Sequence, residues 1–360
     1  MINTTEEFTY QKLDILWEPA GDGARILRVY GEHPVVALPE TIEGRPVTEI
    51  GAYCFSRSEP HLPEQYFHFY TGEQLGNPFG QNATQPNAEH PALYEADAPT
   101  GSAAYGHLSC LSGSLVEAIR LPASVTTLHN AAFYNCRKLH TLSVGPGIRS
   151  IGSDEFMNCT SLSQLILRGQ DTESTGLSLL LERFEENLLV LFTPEGEDSI
   201  LAALFFPEYY EWLDEISPAH LFSRSIHGEG FRMRKCFENG RVNYEKYDQC
   251  FENALKLESD ESLCQITFTR LRWPNGLKEK ARALYEDALK ARLHTAVSMA
   301  VRDKDLQLLL FLCRYFTGED YSQAISACVA ADWGEGSARL MEEKHQNGSF
   351  ARKSFSFDDF

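Results

Sequence analysis

The sequence predicts an α/β chain: a solenoid built around a parallel sheet, followed by an α-helical domain of degenerate repeats. Three observations carry this. A set of side chains recurs at a spacing of 23 residues in the first half. From about Tyr244 onward, apolar residues fall at helical spacing. The composition, 43% hydrophobic over 360 residues, is that of a globular chain with room for about two domains.

The repeat is read first, because a fixed period decides a fold before propensity does. Val116, Ile119, Leu121, Val125, Leu128, Phe133, Asn135 and Cys136 return 23 residues later as Leu139, Leu142, Val144, Ile148, Ile151, Phe156, Asn158 and Cys159. A third copy starts at Leu162, Leu165 and Leu167. The end of each L-x-x-L-x-L segment alternates, so Ile119 and Leu121 point inward while Ala118 and Arg120 point outward, as a strand requires. One turn cannot bury its own face, so Phe133 over Phe156 and Leu128 over Ile151 are expected to form ladders between stacked turns. Asn135 and Asn158 are expected to hydrogen-bond turn backbone, and Cys136 and Cys159 to fill one interior slot on adjacent turns.

An earlier copy stands at Leu38, Pro39, Val47, Ile50, Gly51 and Phe55, with five extra residues between Leu38 and Ile50. Together, LPETIEGRPVTEIGAYCF, IRLPASVTTLHNAAFYNCRKL and LSVGPGIRSIGSDEFMNCTSL resemble the BspA-like leucine-rich repeat family, also called the Treponema pallidum type. The resemblance covers roughly residues 26 to 169, less an insertion. It implies a curved leucine-rich repeat solenoid that binds proteins or peptides, in a family whose members are often secreted or surface-attached.

Residues 58–112 interrupt the repeat with six acidic residues, six prolines, four histidines and no Lys or Arg. Seven aromatic residues in the insertion supply packing area, so part of it is expected to fold back onto the solenoid. The turn-rich stretch Gly80 to Ala92 is expected to be mobile. His61, Glu64 and His68 would share one face if helical, but Pro60 and Pro63 oppose the helix, and no metal site is expected.

From Leu177 to Phe206 the chain turns strongly apolar. LSLLLERF has helical spacing, and Leu188 to Phe192 reads as a strand, together a degenerate last turn that caps the solenoid. Arg224, Arg232, Arg234 and Lys235 gather near Glu229 without the glycine-rich strand–loop–helix context of a phosphate loop. In the helical part, Asp303 and Asp305 are candidate N-caps before LQLLLFLCRYF, with Gly318 ending that run. Ala296-Val297-Ser298 with Ala300-Val301 recurs 28 residues on as Ala324-Ile325-Ser326 with Cys328-Val329. That spacing loosely resembles ankyrin-like helical pairs, without their TPLH turn. The domains expected are thus 1–169 for the repeats with the inserted segment 58–112, 170–243 for a cap and connecting α+β region, 244–345 for the helical domain, and 346–360 for a frayed tail.

The function classes narrow by exclusion. A net charge of -19 repels nucleic acid and anionic lipid, and no basic patch offsets it. No apolar run approaches the ~18 residues of a membrane span. The N-terminus MINTTEEFTY lacks a signal-like pattern, which points to the cytoplasm, while the family resemblance keeps the cell surface as an alternative. Nine cysteines without a CxxC pair read as reduced thiols, and no cofactor is expected. With no GxSxG, HExxH, Walker or dinucleotide motif, the chain reads as a non-catalytic interaction module for an unknown protein or peptide; an unrecognised hydrolase or transferase, or a self-assembling structural protein, are the alternatives. The outward strand residues Ala118, Arg120, Thr141, Ser143, Gln164, Ile166 and Arg168 form the candidate protein-binding sheet face. Apolar Ile166 would anchor, and the two arginines would steer, an acidic or amphipathic peptide, with the acidic insertion as a possible cover.

Overall fold

The computed structural model describes residues 12–58, 60–71, 108–113, 115–194, 199–216 and 221–348. The chain divides into two compact units whose boundary falls between Asn253 and Ala254.

The first unit opens with an antiparallel hairpin, β1 (Leu13–Ala20) and β2 (Gly23–Gly31), turned at Gly21, whose φ of +58° suits a residue without a Cβ. Next come β3 (Val35–Ala37), β4 (Thr41–Ile42) and β5 (Arg45–Ile50). The five extra residues of the first copy are explained here. β4 and β5 form a small hairpin turned at Glu43 and Gly44, both at positive φ. The described ends of the insertion supply β6 (Phe67–Thr71), antiparallel to β1, and β7 (Ser109–Cys110), antiparallel to β2. That part of the insertion folds back as expected; Gly80 to Ala92 lies outside the described residues.

The repeats then alternate long and short strands: β8 (Ala118–Arg120), β9 (Thr127–Leu128), β10 (Thr141–Val144), β11 (Ser150–Ile151) and β12 (Gln164–Arg168). After α1 (Leu177–Leu181) come β13 (Leu188–Thr193) and β14 (Ala202–Phe206). One sheet runs β3, β8, β10, β12, β13 in parallel and ends on antiparallel β14. The opposite sheet stacks β5, β9 and β11 in parallel and continues through β2, β1 and β6. The apolar strip at 177–206 is therefore a further turn plus its cap, and the parallel sheet runs on past residue 169.

The core lies between these sheets. Ile119, Leu121, Leu128, Phe133, Leu142, Val144, Leu165 and Leu167 are all fully buried. Phe133 stacks on Phe156 at 5.3 Å, and Leu128 lies in register with Ile151, as the period requires. The ring ladder extends further in both directions, to Phe55 at 5.4 Å and to Phe184 at 4.7 Å. Cysteine and asparagine have more specific duties than the sequence suggests. The Cys136 thiol donates to the Phe55 carbonyl and the Cys159 thiol to the Phe133 carbonyl, each at 3.1 Å. Asn135 and Asn158 both adopt φ of 64°, and Asn158 Nδ2 donates to Asn135 Oδ1 at 2.8 Å. Among the described residues the asparagines thus pair with each other across turns. No Cys136–Cys159 disulfide forms, and all nine thiols are free.

The unit closes with a separate antiparallel ribbon, β15 (Tyr210–Ile216) and β16 (Leu221–His227), then α2 (Gly230–Met233), the short hairpin β17 (Phe237–Glu238) and β18 (Arg241–Val242), and the first ten residues of α3 (Tyr244–Leu257), which crosses the boundary. Arg234 braces this end. Its guanidinium is buried, donates to the carbonyls of Pro207, Gly230 and Glu186, and lies over the rings of Phe206 and Tyr209. Burial lowers its pKa to about 10.

The second unit is helical: α4 (Asp260–Arg272), α5 (Glu279–Ala291), α6 (Leu293–Arg302), α7 (Leu306–Leu312), α8 (Gly318–Ala330) and α9 (Gly334–Gly348). Asp305 caps α7 by accepting from Leu308 N–H, while Asp303 ends α6 instead of starting a helix. Gly318 opens α8 behind the Thr317–Asp320 capping box, which corrects its reading as a terminator. Residues 346–348 continue α9. The weak 28-residue repeat has a clear backbone counterpart. Gly276, Lys304 and Asp332 all take positive φ at the turn that follows α4, α6 and α8. After α6, Asp305 N–H bonds Ala300 O and Lys304 N–H bonds Val301 O. After α8 the same pair recurs as Trp333 to Cys328 and Asp332 to Val329. This is the left-handed helix stop of a Schellman motif, repeated.

Candidate interaction surfaces

Parallel register assembles the predicted sheet face. Ala118, Thr141 and Gln164 lie side by side on β8, β10 and β12, with Leu189 of β13 in the same row. Arg120, Ser143, Ile166 and Leu191 form the next row, and Arg168 pairs with Thr193 at the end. The structure therefore gathers all seven residues on one face. Their expected exposure is corrected: Ala118, Thr141, Ser143, Ile166 and Arg168 are at most 7% exposed, and only Arg120 and Gln164 are partly open.

The physical reason is local. Ser143 sits in register between two long side chains, Arg120 and Ile166, and Thr141 contacts the His140 ring at 3.0 Å. Arg168 is folded back onto the chain, where its guanidinium donates to the Leu121 carbonyl and meets Glu40 at 3.4 Å. An arginine held this way is a brace and not an electrostatic beacon. A cover formed by the middle of the insertion lies outside the described residues.

Two surfaces that sequence reasoning missed are more open. The β15–β16 ribbon pairs with no other strand among the described residues, yet it exposes Tyr210 (58%), Trp212 (56%) and Leu213 (65%). Alternation puts Tyr210 and Trp212 on one face and Leu213 on the other, with Ile226 opposite Glu211 on that second face. The Tyr210 ring stacks on His227 at 4.9 Å, which fixes it outward. In the helical unit, α6 and α8 flank a groove of about 530 Å³ whose lining includes Leu293, Val297 and Ala327 together with His294, Glu319 and Gln323.

The remaining candidates serve the fold. His61 and Glu64 lie outside any helix, and His68 is on β6, where Nδ1 meets Asp14 at 2.9 Å, so the three never share a helical face. Among the described residues no group of three or more His, Cys, Asp or Glu is placed to hold a metal ion. In the basic cluster, Arg234 is the buried brace already described, Arg232 faces Glu229 at 3.5 Å, and Lys235 pairs with Glu182 at 2.9 Å. These cations are spent on neighbours rather than on a phosphate. Among the described residues, no helix is long and apolar enough to cross a membrane.

Comparison with known families gives one match, "BspA type Leucine rich repeat region (6 copies)", over residues 107–179. Neither the curated proteins nor the solved structures give a match. The matched residues hold β8 to β12, the Asn and Cys ladders and two of the four stacked phenylalanines, so motif and architecture agree. Residues 107–179 of this chain match the BspA-type leucine-rich repeat family.

Proposed function

We propose that the chain is a non-catalytic module that binds a protein or peptide, and that the β15–β16 ribbon is its contact element. Repeat modules of this family suggest protein interaction. One observation carries the finer reading: an isolated two-stranded ribbon holding exposed Tyr, Trp and Leu side chains. A lone ribbon of this kind is marginal in water, and Trp and Tyr supply large contact area at small entropic cost. Ribbon edges that pair with no other strand among the described residues also suit strand addition by an extended partner segment.

A photo-crosslinking residue placed at Leu213 tests this, with Met157, exposed on a repeat turn, as the control position. The expected result is a discrete adduct in native lysate from position 213 and none from 157. Equal labelling at both, or none at 213, would overturn the assignment. Self-assembly is read in the same experiment, because an adduct of twice the chain mass identifies a second copy as the partner.

A further inference from the structure

Two of the nine thiols stand apart from the rest. Cys236 follows α2, Cys250 lies on α3, and their Sγ atoms are 3.8 Å apart across 14 residues of chain. Cys236 is buried at 5% exposure, while Cys250 is partly open to solvent. Beside them lies Glu229, 1% exposed, whose carboxyl group hydrogen-bonds the Cys250 thiol and the Asn253 side chain and faces Arg232 at 3.5 Å. We propose that Cys236 and Cys250 are a reversible disulfide-forming pair that reacts with small-molecule disulfides, Cys250 attacking and Cys236 resolving.

Geometry sets the roles. Only Cys250 of the two is reachable by a solute, and Cys236 waits behind it at van der Waals distance. The electrostatics agree. The hydrogen bond from Cys236 holds the Cys250 thiol below its ordinary pKa against the opposing pulls of burial and of the Glu229 carboxylate. Donating that bond, together with burial, pushes Cys236 up. Burial also raises the pKa of Glu229, which makes its carboxylate a better proton acceptor for the neighbouring thiol.

In the first step Cys250 loses its proton to Glu229, its sulfur bonds one sulfur of the disulfide RSSR, and RS⁻ leaves and takes up a proton. In the second, Cys236 gives up its proton, its sulfur bonds Cys250 Sγ, and the second RS⁻ leaves and is protonated. The protein loses two protons and two electrons; RSSR gains both and becomes two RSH. The new bond ties the first half of α3 to the α2–β17 junction. Cys136 and Cys159, neighbours on adjacent turns, differ in one decisive respect: both are buried, so neither sulfur is open to a solute.

The test uses the reduced full-length chain and oxidised glutathione, with acid quenching, alkylation and peptide mass spectrometry. The peptide pair linking Cys236 to Cys250, lighter by two hydrogens, is expected before any other cysteine is modified. In Cys236→Ser the product becomes a lasting glutathione adduct on Cys250. In Cys250→Ser, Cys236 stays free over the same interval. Glu229→Gln is expected to slow adduct formation on Cys250 several-fold at neutral pH, and an unchanged rate would remove Glu229 from the step. Earlier oxidation of any of the other seven thiols, or an adduct on Cys236 but not on Cys250 in the single variants, would overturn the proposal.

Discussion

Phe133 is the residue on which the solenoid depends most, since its ring is stacked on both sides, against Phe55 and Phe156, with no solvent exposure. Phe133→Ala is expected to destabilise the first unit by about 3–5 kcal/mol, read from chemical denaturation midpoints. Glu155 makes a different case. It is 1% exposed, and burial raises its pKa above the ordinary 4.5, partly offset by the backbone N–H groups of Glu155 and Gly152. A carboxyl group raised on folding stabilises the fold only at low pH, and that contribution is lost as pH rises through the folded value. The stability of the parent relative to Glu155→Gln should therefore fall between about pH 4 and neutrality, and then level off. Melting curves for both proteins across that range check the sign. At this scale the sequence was informative where a side chain repeats at a constant offset. Phe133 and Phe156 are visible at 23 residues, whereas Phe184 follows Phe156 by 28 and drops out of register on the page while staying in it in space.

Among the elements, the helix stops at Lys304 and Asp332 hold non-glycine residues at φ of 49° and 50°, while Gly276, at 61°, lies in the turn beyond α4, which Leu277 N–H closes on the Pro274 carbonyl. The left-handed region costs an L residue roughly 1 kcal/mol, less what glycine loses in the unfolded chain. Lys304→Gly and Asp332→Gly are each expected to stabilise the helical unit by up to about 1 kcal/mol, and Gly276→Ala to destabilise it by about the same. Denaturation midpoints that move the same way in all three variants would contradict the reading that a left-handed backbone sets the preference at these positions. These stops explain why the second repeat is faint in the sequence: what recurs is a backbone conformation that several residue types tolerate. The β1–β2 hairpin was illegible for another reason. Leu13, Asp14, Ile15, Leu16 and Trp17 are buried in succession, so both faces of the strand are covered and no alternation remains to read. The sheet face was half legible. Alternation identified which side chains share it, but nothing in a strand's own pattern reports what lies above it.

For the molecule as a whole, 51 acidic residues against 32 basic leave a self-repulsion that salt screens. Raising NaCl from about 20 mM to about 500 mM should lift the melting temperature by roughly a few degrees, because the Debye length shrinks below the typical spacing of surface charges. A fall would show that the exposed ion pairs, such as Arg302 with Glu261 at 2.9 Å, outweigh the net repulsion.

The ends of the solenoid have a consequence for how such a chain changes length. At one end stands the antiparallel β1–β2 hairpin, at the other antiparallel β14. A repeat copied beyond β14 would meet a strand running against it. A copy of one 23-residue turn spliced between β10 and β12 would instead find parallel neighbours, a phenylalanine above and below, and a carbonyl for its thiol. In evolutionary terms this architecture lengthens from within, by internal tandem duplication, and its β14 end is inherited as a fixed point.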